Sequence, residues 1–274
     1  MKPTLKGNKY CTPSIKTKST CYSKQNLVKM TKKWNRNYKH KIKHTKHKSK
    51  MELWHNLDRK MKLLCKNEWC WSRYLIDLKN RFRPPRPTKW NQKPDEWLDT
   101  NNIENVMEQY EKAHNDFVFI GAVPLDFNLK TNTGRCMVDD LCKINIELLQ
   151  KKGIKKIGIV FNLDYHDEPG SHWTAMFIDS NRKGIYYFDS YGQEPEKEIL
   201  VLIEKLKNQY KKINIKMKEQ INNIRHQYKN SECGVYSLHF LITMLTKKTR
   251  FRTFCNNIIE DDEILKYRKI YFLE

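Results

Sequence analysis

The feature that most constrains this chain is a cysteine placed directly before a long apolar segment. Cys233 is followed, after one glycine, by a run from Val235 to Leu245 that is apolar almost throughout. Leu238 and Ile242 continue the steps of three and four residues that are typical of a helix burying one face. Cys233 therefore lies at the start of a predicted helix, where free N–H groups and the helix dipole favour an anion. The position favours a reactive thiolate; a small buried residue at a helix start is the alternative.

A thiolate nucleophile needs a base, and the base needs a third group that orients it. His172 begins a predicted strand that runs to Asp179, and a second predicted strand returns over residues 185–190. Asp179 lies seven residues along the same strand, ~23 Å from His172 at the usual rise per residue, and is too far to contact it. Asp189 lies on the returning strand, close to the end that carries His172. Asp189 is therefore the predicted orienting carboxylate.

A fourth residue completes the predicted site. Gln227, six residues before Cys233, can donate its side-chain amide to a developing oxyanion, with the backbone N–H of Cys233 as the second donor. The order His172, Asp189, Gln227, Cys233 resembles the cysteine proteases that process ubiquitin-like modifiers, together with the related adenovirus, African swine fever virus and giant-virus proteases. The matching residues are His172-Trp173, Asp189-Ser190, and Gln227 with Cys233-Gly234. Each of these matches alone is weak, but the three residue pairs and Gln227 in this order form a strong signal.

The resemblance extends upstream of the site. The tetrapeptide Glu-Trp-Leu-Asp at 96–99 precedes a predicted amphipathic helix, in which Asn101 and Glu104 have the spacing of a capping box. The similarity thus covers about residues 95–274. More loosely, the region from Cys21 to Pro87 resembles the N-terminal arm of the large DNA virus proteases.

The chain divides by composition into a basic tail (1–50), a helical arm with a proline-rich linker (51–88) and a catalytic domain (89–274). The tail has fifteen lysines, one arginine and no acidic residue, which is +16 of the net charge of +22. With so few apolar groups it is predicted to be largely disordered, at least over 1–20 and 35–50, with a short helix between them. It is interpreted either as a nucleic-acid-binding segment or as a solubilising tail.

The arm is predicted to contain two short helices, over 51–66 and 68–82, which the prolines at 84–87 terminate. Cys65 and Cys70 lie between them, but no second cysteine–histidine pair follows at metal-ligand spacing, so no metal is predicted. The eight cysteines are spread along the chain without the spacing of a disulfide framework, which indicates a reducing compartment and free thiols. No signal peptide and no segment long enough to cross a membrane are predicted.

The predicted elements of the catalytic domain are strands flanked by helices. They are strands at 117–120, 157–161, 172–179, 185–190, 213–217 and 221–224, and helices at 138–149, 196–210, 233–245 and 261–272. Periodicity supports only this order of elements. The α+β, papain-like fold of the SUMO-protease and adenovirus-protease type is what the resemblance implies.

The resemblance also implies the function. It favours a viral cysteine endopeptidase that cleaves structural polyproteins at Gly-Gly-X sites during virion maturation, acts as a monomer without a cofactor, and works in the virion and the host cytoplasm. A protease that removes ubiquitin-like modifiers is the first alternative, and a basic nucleic-acid-binding virion protein with an inactive protease fold is the second. Trp173 is expected to line a narrow tunnel that admits small residues, with Trp97 as the opposing wall; ordinary core packing is the alternative for both.

Overall fold

The structure is a computed structural model that describes two compact units, which divide at Pro85. The described residues are 20, 22–42, 49–62, 64, 68, 71–75, 83–246 and 249–272. Each unit is considered by itself.

The N-terminal unit is a small helical cluster built on helices α1 (Lys24–Asn37) and α2 (Lys50–Met61). Both begin at a serine whose side chain accepts a backbone N–H of the first turn, Ser23 in α1 and Ser49 in α2. The apolar faces of the two helices pack together. Their buried side chains are Leu27, Met30, Trp34, Leu53, Leu57 and Met61. A third helix, α3, is short (Ser72–Leu75).

Part of the predicted tail belongs to this cluster. Helix α1 extends to Asn37, and Ile42 is buried in the same core. The prediction of disorder is therefore wrong for residues 35–42, because Trp34 and Ile42 are buried in this apolar core and Asn35 forms two hydrogen bonds with the backbone of Ile42. Residues 1–19 and 43–48, the second half of the predicted helix at 68–82, and both Cys65 and Cys70 lie outside the described residues.

The C-terminal unit is built around a five-stranded mixed sheet in the order β1-β2-β3-β4-β5. The strands are β1 (Phe117–Pro124), β2 (Lys156–Asn162), β3 (Trp173–Asp179), β4 (Gly184–Phe188) and β5 (Lys218–Ile221). The outer pairs β1–β2 and β4–β5 are parallel, and the inner pairs β2–β3 and β3–β4 are antiparallel. Every residue of β3 and β4 is buried, because helices cover both faces of the sheet.

The helices of this unit are named in chain order. They are α4 (Thr100–Ala113), α5 (Asp139–Cys142), α6 (Ile146–Lys151), α7 (Lys197–Lys212), α8 (Cys233–Thr246), α9 (Phe251–Asn256), α10 (Asp261–Ile264) and α11 (Arg268–Tyr271). Alternate strand residues face opposite sides of the sheet. Met176 and Tyr187 therefore join the core formed with α7, whereas Phe188 stacks on Phe240 of α8 with ring centroids 5.1 Å apart. Helix α4 packs on β1 and α8.

Several predicted elements differ in their bounds. The helix predicted at 138–149 is two short helices, since Asn145 caps the second one and interrupts the run. One strand, β5, lies between the two that were predicted at 213–217 and 221–224. The N-cap of α4 is Asp99, whose carboxylate accepts the N–H of Asn102 in a capping box, so the prediction of a box at Asn101 and Glu104 is wrong.

The prediction of free thiols is wrong for one pair of cysteines. Cys136 and Cys142 form a disulfide, with their Cα atoms 6.3 Å apart. The turn before α5 brings them together, which a spacing of six residues does not reveal by itself. Cys233 and Cys255 are the free cysteines among the described residues. Within the described part of the chain, no helix is both long and apolar enough to cross a membrane.

Candidate active site

Three of the four predicted site residues lie at the ends of elements of the C-terminal unit, and Gln227 lies in the loop between β5 and α8. His172 directly precedes β3, Asp189 directly follows β4, and Cys233 is the first residue of α8. Because β3 and β4 run antiparallel, the start of one lies beside the end of the other. Helix α8 crosses β3, and the Ser237 hydroxyl donates to the carbonyl oxygen of Trp173 at 3.1 Å. This contact holds the N-terminal half of α8 against β3, directly beside His172.

His172 and Asp189 form a buried hydrogen bond. Nε2 of His172 lies 2.6 Å from Oδ1 of Asp189, and Asp189 is only 1% exposed. Asp179 lies too far along β3 to contact His172. Its carboxylate instead accepts the N–H groups of Asn181 and Arg182 in the β3–β4 turn. With Nε2 facing the carboxylate, Nδ1 is the ring nitrogen left for the thiol of Cys233.

The electrostatics of the site favour a protonated His172. Burial by itself lowers the pKa of this imidazole, but hydrogen bonds to Asp189 and Cys233 outweigh it and raise the pKa from 6.5 to about 9. Cys233 is 2% exposed and lies at the positive end of a fourteen-residue helix. These contacts place a protonated imidazole beside the sulfur of Cys233.

Gln227 is fully buried, and its amide is held at both ends. Its Oε1 accepts the hydroxyl of Ser190 at 2.7 Å, and its Nε2 donates to the carbonyl of Lys229 at 2.6 Å. The backbone N–H of Gln227 also donates to the carbonyl of Ser190 at 2.9 Å. Ser190 therefore ties the loop that leads to Cys233 to the end of β4, next to Asp189.

Trp173 and Gly234 meet at Leu98, the residue that precedes the N-cap of α4. The indole Nε1 of Trp173 donates to the carbonyl of Leu98 at 2.9 Å, and Trp173 is buried. A Cβ at position 234 would lie 3.0 Å from the Cβ of Leu98, so glycine permits this close approach beside Cys233. The backbone around the thiol is therefore confined between Leu98 and Trp173.

A cleft of about 570 Å³ opens beside His172. Trp97 and Trp173 both contribute to its wall, as does Tyr165. Trp97 is 43% exposed, so it is not a core residue but a face of the cleft. Trp173 is buried and hydrogen-bonded, and it also lines the cleft. Both interpretations of Trp173, as part of the wall and as part of the core, therefore describe its environment.

Two residues that sequence reasoning missed also belong to this region. Tyr191 stacks on the imidazole of His172 with ring centroids 4.5 Å apart. Arg268 of α11 forms a bidentate, buried ion pair with Glu232, with Nε–Oε2 at 2.8 Å and Nη2–Oε1 at 2.9 Å. Tyr191 could have been found from its place two residues after Asp189. No local pattern connects Arg268 with Glu232, because 36 residues separate them.

The fold and the site together define a class. A cysteine at the start of a helix that packs on a mixed sheet, beside a histidine–carboxylate pair, is the arrangement of a papain-like cysteine peptidase. Residues 147–274 match the family described as "Ulp1 protease family, C-terminal catalytic domain". This match confirms the resemblance drawn from the sequence.

Relatives occur among large DNA viruses. A protein described as a thiol protease of Acanthamoeba polyphaga mimivirus is 40% identical over 192 residues, which are 70% of this chain and 60% of that protein. A cysteine protease of African swine fever virus is 28% identical over 211 residues, 72% of this chain and 73% of that one. The crystal structure of an African swine fever virus protease is similar in fold, with a TM-score of 0.60 at 24% identity, over 87% of this chain and 94% of that one.

Proposed function

We propose that this protein is a viral cysteine endopeptidase that cleaves structural polyproteins at Gly-Gly-X sites during virion maturation. The observation that carries the proposal is the contact of His172 with both Asp189 and Cys233, beside a cleft whose wall includes Trp173 and Trp97. The viral relatives described as thiol and cysteine proteases support it. The protein would act in the virion and the cytoplasm of the infected cell, as a monomer and without a cofactor.

The mechanism is acyl transfer. The Cys233 thiolate attacks the carbonyl carbon of the scissile peptide, and the oxyanion that forms is stabilised by the backbone N–H of Cys233 and by the N–H of Gln227 Nε2 that does not donate to Lys229. His172 passes a proton to the leaving amine, while Asp189 fixes the ring orientation and stabilises its positive charge. Water, with His172 acting as the base, then hydrolyses the thioester and restores the thiol.

The first prediction concerns pH. We expect kcat/KM for a short Gly-Gly-X peptide to fall as the pH rises through about 9, because the imidazolium of His172, whose pKa is about 9, is then lost. The same raised pKa contributes to the free energy of unfolding below pH 6.5, and this contribution disappears as the pH rises through 9. Asp189→Asn should move the alkaline limb of the profile to lower pH, because a neutral partner raises the pKa of His172 less. Identical limbs in both proteins would contradict the assignment.

The second prediction concerns the residue before the scissile bond. If Trp173 and Trp97 form the walls of a narrow tunnel, peptides with leucine or phenylalanine at this position should be cleaved at least about a hundredfold more slowly than those with glycine. The physical reason is that crowding holds the carbonyl about 1 Å or more from the attack position. Profiling a peptide library measures the ratio. Trp97→Ala opens one exposed wall and should lower the discrimination, whereas equal cleavage after leucine and glycine by the unmodified protein would refute the tunnel.

A second candidate function has its own support. One African swine fever virus relative, 28% identical over 211 residues, is described as a SUMO-1 cysteine protease. Removal of a ubiquitin-like modifier needs the same Gly-Gly specificity, so the cleft accommodates both functions. Incubating the purified protein with a Gly-Gly-X peptide and, separately, with SUMO conjugates distinguishes them. Cleavage of the peptide alone supports the endopeptidase, preferred cleavage of conjugates supports the deconjugating protease, and no cleavage of either supports an inactive fold.

The basic N-terminal region stays a separate proposal. Its charge of +16 suits attraction to nucleic acid, since each lysine–phosphate contact releases a counterion. Helix α1 lies within it, and most of the remainder lies outside the described residues. Such attraction would hold the enzyme near a nucleoprotein core.

A further inference from the structure

Tyr191 contacts the candidate catalytic residues from several directions. Its ring lies parallel to the imidazole of His172, with an interplanar angle of 20° and centroids 4.5 Å apart. Its backbone N–H donates at 2.9 Å to Oδ1 of Asp189, the same oxygen that faces His172. Its hydroxyl lies 3.5 Å from Nε2 of Gln227 and 3.4 Å from the carbonyl of Lys229, both of which are long contacts.

The end of β4 explains why Tyr191 lies there. In the β3–β4 pair Ala175 is opposite Phe188, the last residue of β4, so the chain leaves this strand beside the start of β3, where His172 lies. Residues 189–192 then form a turn, in which the N–H of Gly192 donates to the carbonyl of Asp189 at 3.0 Å. This turn places both Asp189 and Tyr191 against the imidazole of His172.

The turn after β4 fixes Tyr191 in this place. The N–H of Gln193 donates to Oδ2 of Asp189 at 3.3 Å, so the backbone wraps around the carboxylate. Gly192 has a φ of +73°, and a Cβ there would lie 2.9 Å from the backbone carbon of Ile224. Glycine is therefore needed at 192 for the chain to turn this closely.

The positively charged side chain of Arg225 also packs against the ring of Tyr191. The guanidinium of Arg225 lies 5.3 Å from the centroid of Tyr191 and 4.7 Å from that of Tyr228. Its Nε donates to the carbonyl of Gln227 at 2.8 Å, which anchors it to the loop before Cys233. Burial and the charge of Cys233 raise the pKa of the Tyr191 hydroxyl, so it stays neutral at the pH of the reaction.

We propose that Tyr191 is a positioning residue, which holds the His172 imidazole in line with Asp189 and Cys233 and shields the His172–Asp189 hydrogen bond from water. The proposal rests on the proposed function, because it gives His172 the role of base and acid. Stacking restricts the imidazole to rotation within its own plane, and the hydrogen bond to Asp189 then selects one orientation. A free ring would spend much of its time with Nδ1 turned away from the thiol.

The test compares three variants of one residue. Tyr191→Leu removes the stacked ring while keeping an apolar side chain, and should lower kcat for a Gly-Gly-X peptide roughly ten- to a hundredfold, since small misplacements of catalytic groups have effects of this size. KM should stay within about twofold, because the ring acts on His172 and not on the bound substrate. Tyr191→Phe keeps the ring and should retain most of the activity. Tyr191→Ala should resemble Tyr191→Leu.

Tyr228→Ala is the matched control. Tyr228 is also a tyrosine packed against Arg225, but it is 68% exposed and stacks on Arg225 without reaching the imidazole. Its loss should leave kcat and KM unchanged. A rise in KM alone for Tyr191→Leu would make Tyr191 a substrate contact and overturn the proposal. Unchanged kcat in Tyr191→Leu would overturn it as well.

A spectroscopic readout separates this proposal from the proposed function. The proton in the 2.6 Å His172–Asp189 hydrogen bond should give a downfield NMR signal that is absent in His172→Gln. The signal should persist in Tyr191→Phe and broaden in Tyr191→Leu through exchange with water. This measurement needs no substrate. If the unmodified protein cleaves neither peptide nor conjugate, the proposed function fails, whereas an equally sharp signal in Tyr191→Leu overturns the role of Tyr191.

Discussion

Replacing Cys233 by serine is expected to lower kcat for a Gly-Gly-X peptide at least about a thousandfold without loss of the fold, and His172→Ala should do the same. Both residues act on one chemical step, so removing either removes most of what the pair contributes. Serine retains the shape of the side chain, but its hydroxyl is far less acidic than a thiol and is not ionised by His172. Peptide turnover, with circular dichroism as the check on folding, measures both effects.

The chain offers a matched control for the thiol. Cys255 is the other free cysteine among the described residues, and burial raises the pKa of its thiol to about 12. Cys255→Ala should therefore keep full activity. One equivalent of iodoacetamide should label Cys233 and abolish turnover. Near-normal turnover by Cys233→Ser, or inactivation that maps first to another cysteine, would show that the nucleophile is misassigned.

Replacing Arg268 by methionine is expected to lower the free energy of unfolding by about 3–5 kcal/mol, because it leaves the buried carboxylate of Glu232 without its partner. The two side chains are 4% and 3% exposed. Arg268 also donates to the backbone carbonyls of Glu96 and Ser231, at 2.6 and 3.3 Å, so it joins the segment before Trp97 to the residue before Glu232. The loss should therefore reduce activity together with stability. Urea unfolding measures the first and peptide turnover the second.

The pH dependence of the stability of Arg268→Met tests whether the unpaired charge of Glu232 causes the loss. Burial already raises the pKa of Glu232 against the opposing effect of Arg268. Without Arg268 this pKa should rise further, so the loss of stability should be smaller at pH 5 than at pH 8, where the carboxylate is charged. The double variant Arg268→Met with Glu232→Met should lose less than the single variant. Lys151→Met, which breaks an exposed pair with Glu147, is the control and should change little. An equally small effect for Arg268→Met would contradict this account.

The candidate site was predictable to an unusual degree because three of its four residues, His172, Asp189 and Cys233, lie at the end of an element. A helix that begins at Cys233 follows from the apolar period after it, and helix α8 begins there. The turn predicted after Asp179 indicates a second strand that runs back and ends near Asp189. Of these two carboxylates, Asp189 is the one that contacts His172. The roles given to Gln227, His172, Asp189 and Cys233 stay predictions until the variants are measured.

Prediction from local sequence patterns was less successful where two residues of one turn are both suitable caps for the same helix. Asp99 and Asn101 are both good N-caps, and the side chain that caps α4 is Asp99 because Leu98 is held by Trp173 immediately before it. Composition indicated a disordered tail, yet apolar residues spaced along α1 are enough to pack it against α2. An amino-acid composition averaged over fifty residues does not reveal a short amphipathic segment within them.

By itself, the sequence determined the elements that carry the predicted site residues: the strand that follows His172, the strand that precedes Asp189 and the helix that begins at Cys233. These depend on interactions between residues close together in the chain, which periodicity and capping patterns record. Only the tertiary structure decided which distant groups meet: Tyr191 on His172, Arg268 on Glu232, and Cys136 with Cys142. Such contacts depend on strand register, on the path of α8 across the sheet and on the shape of turns. Those are properties of the packed chain, because they minimise buried unsatisfied polar groups and cavities over the whole unit and not within any one segment.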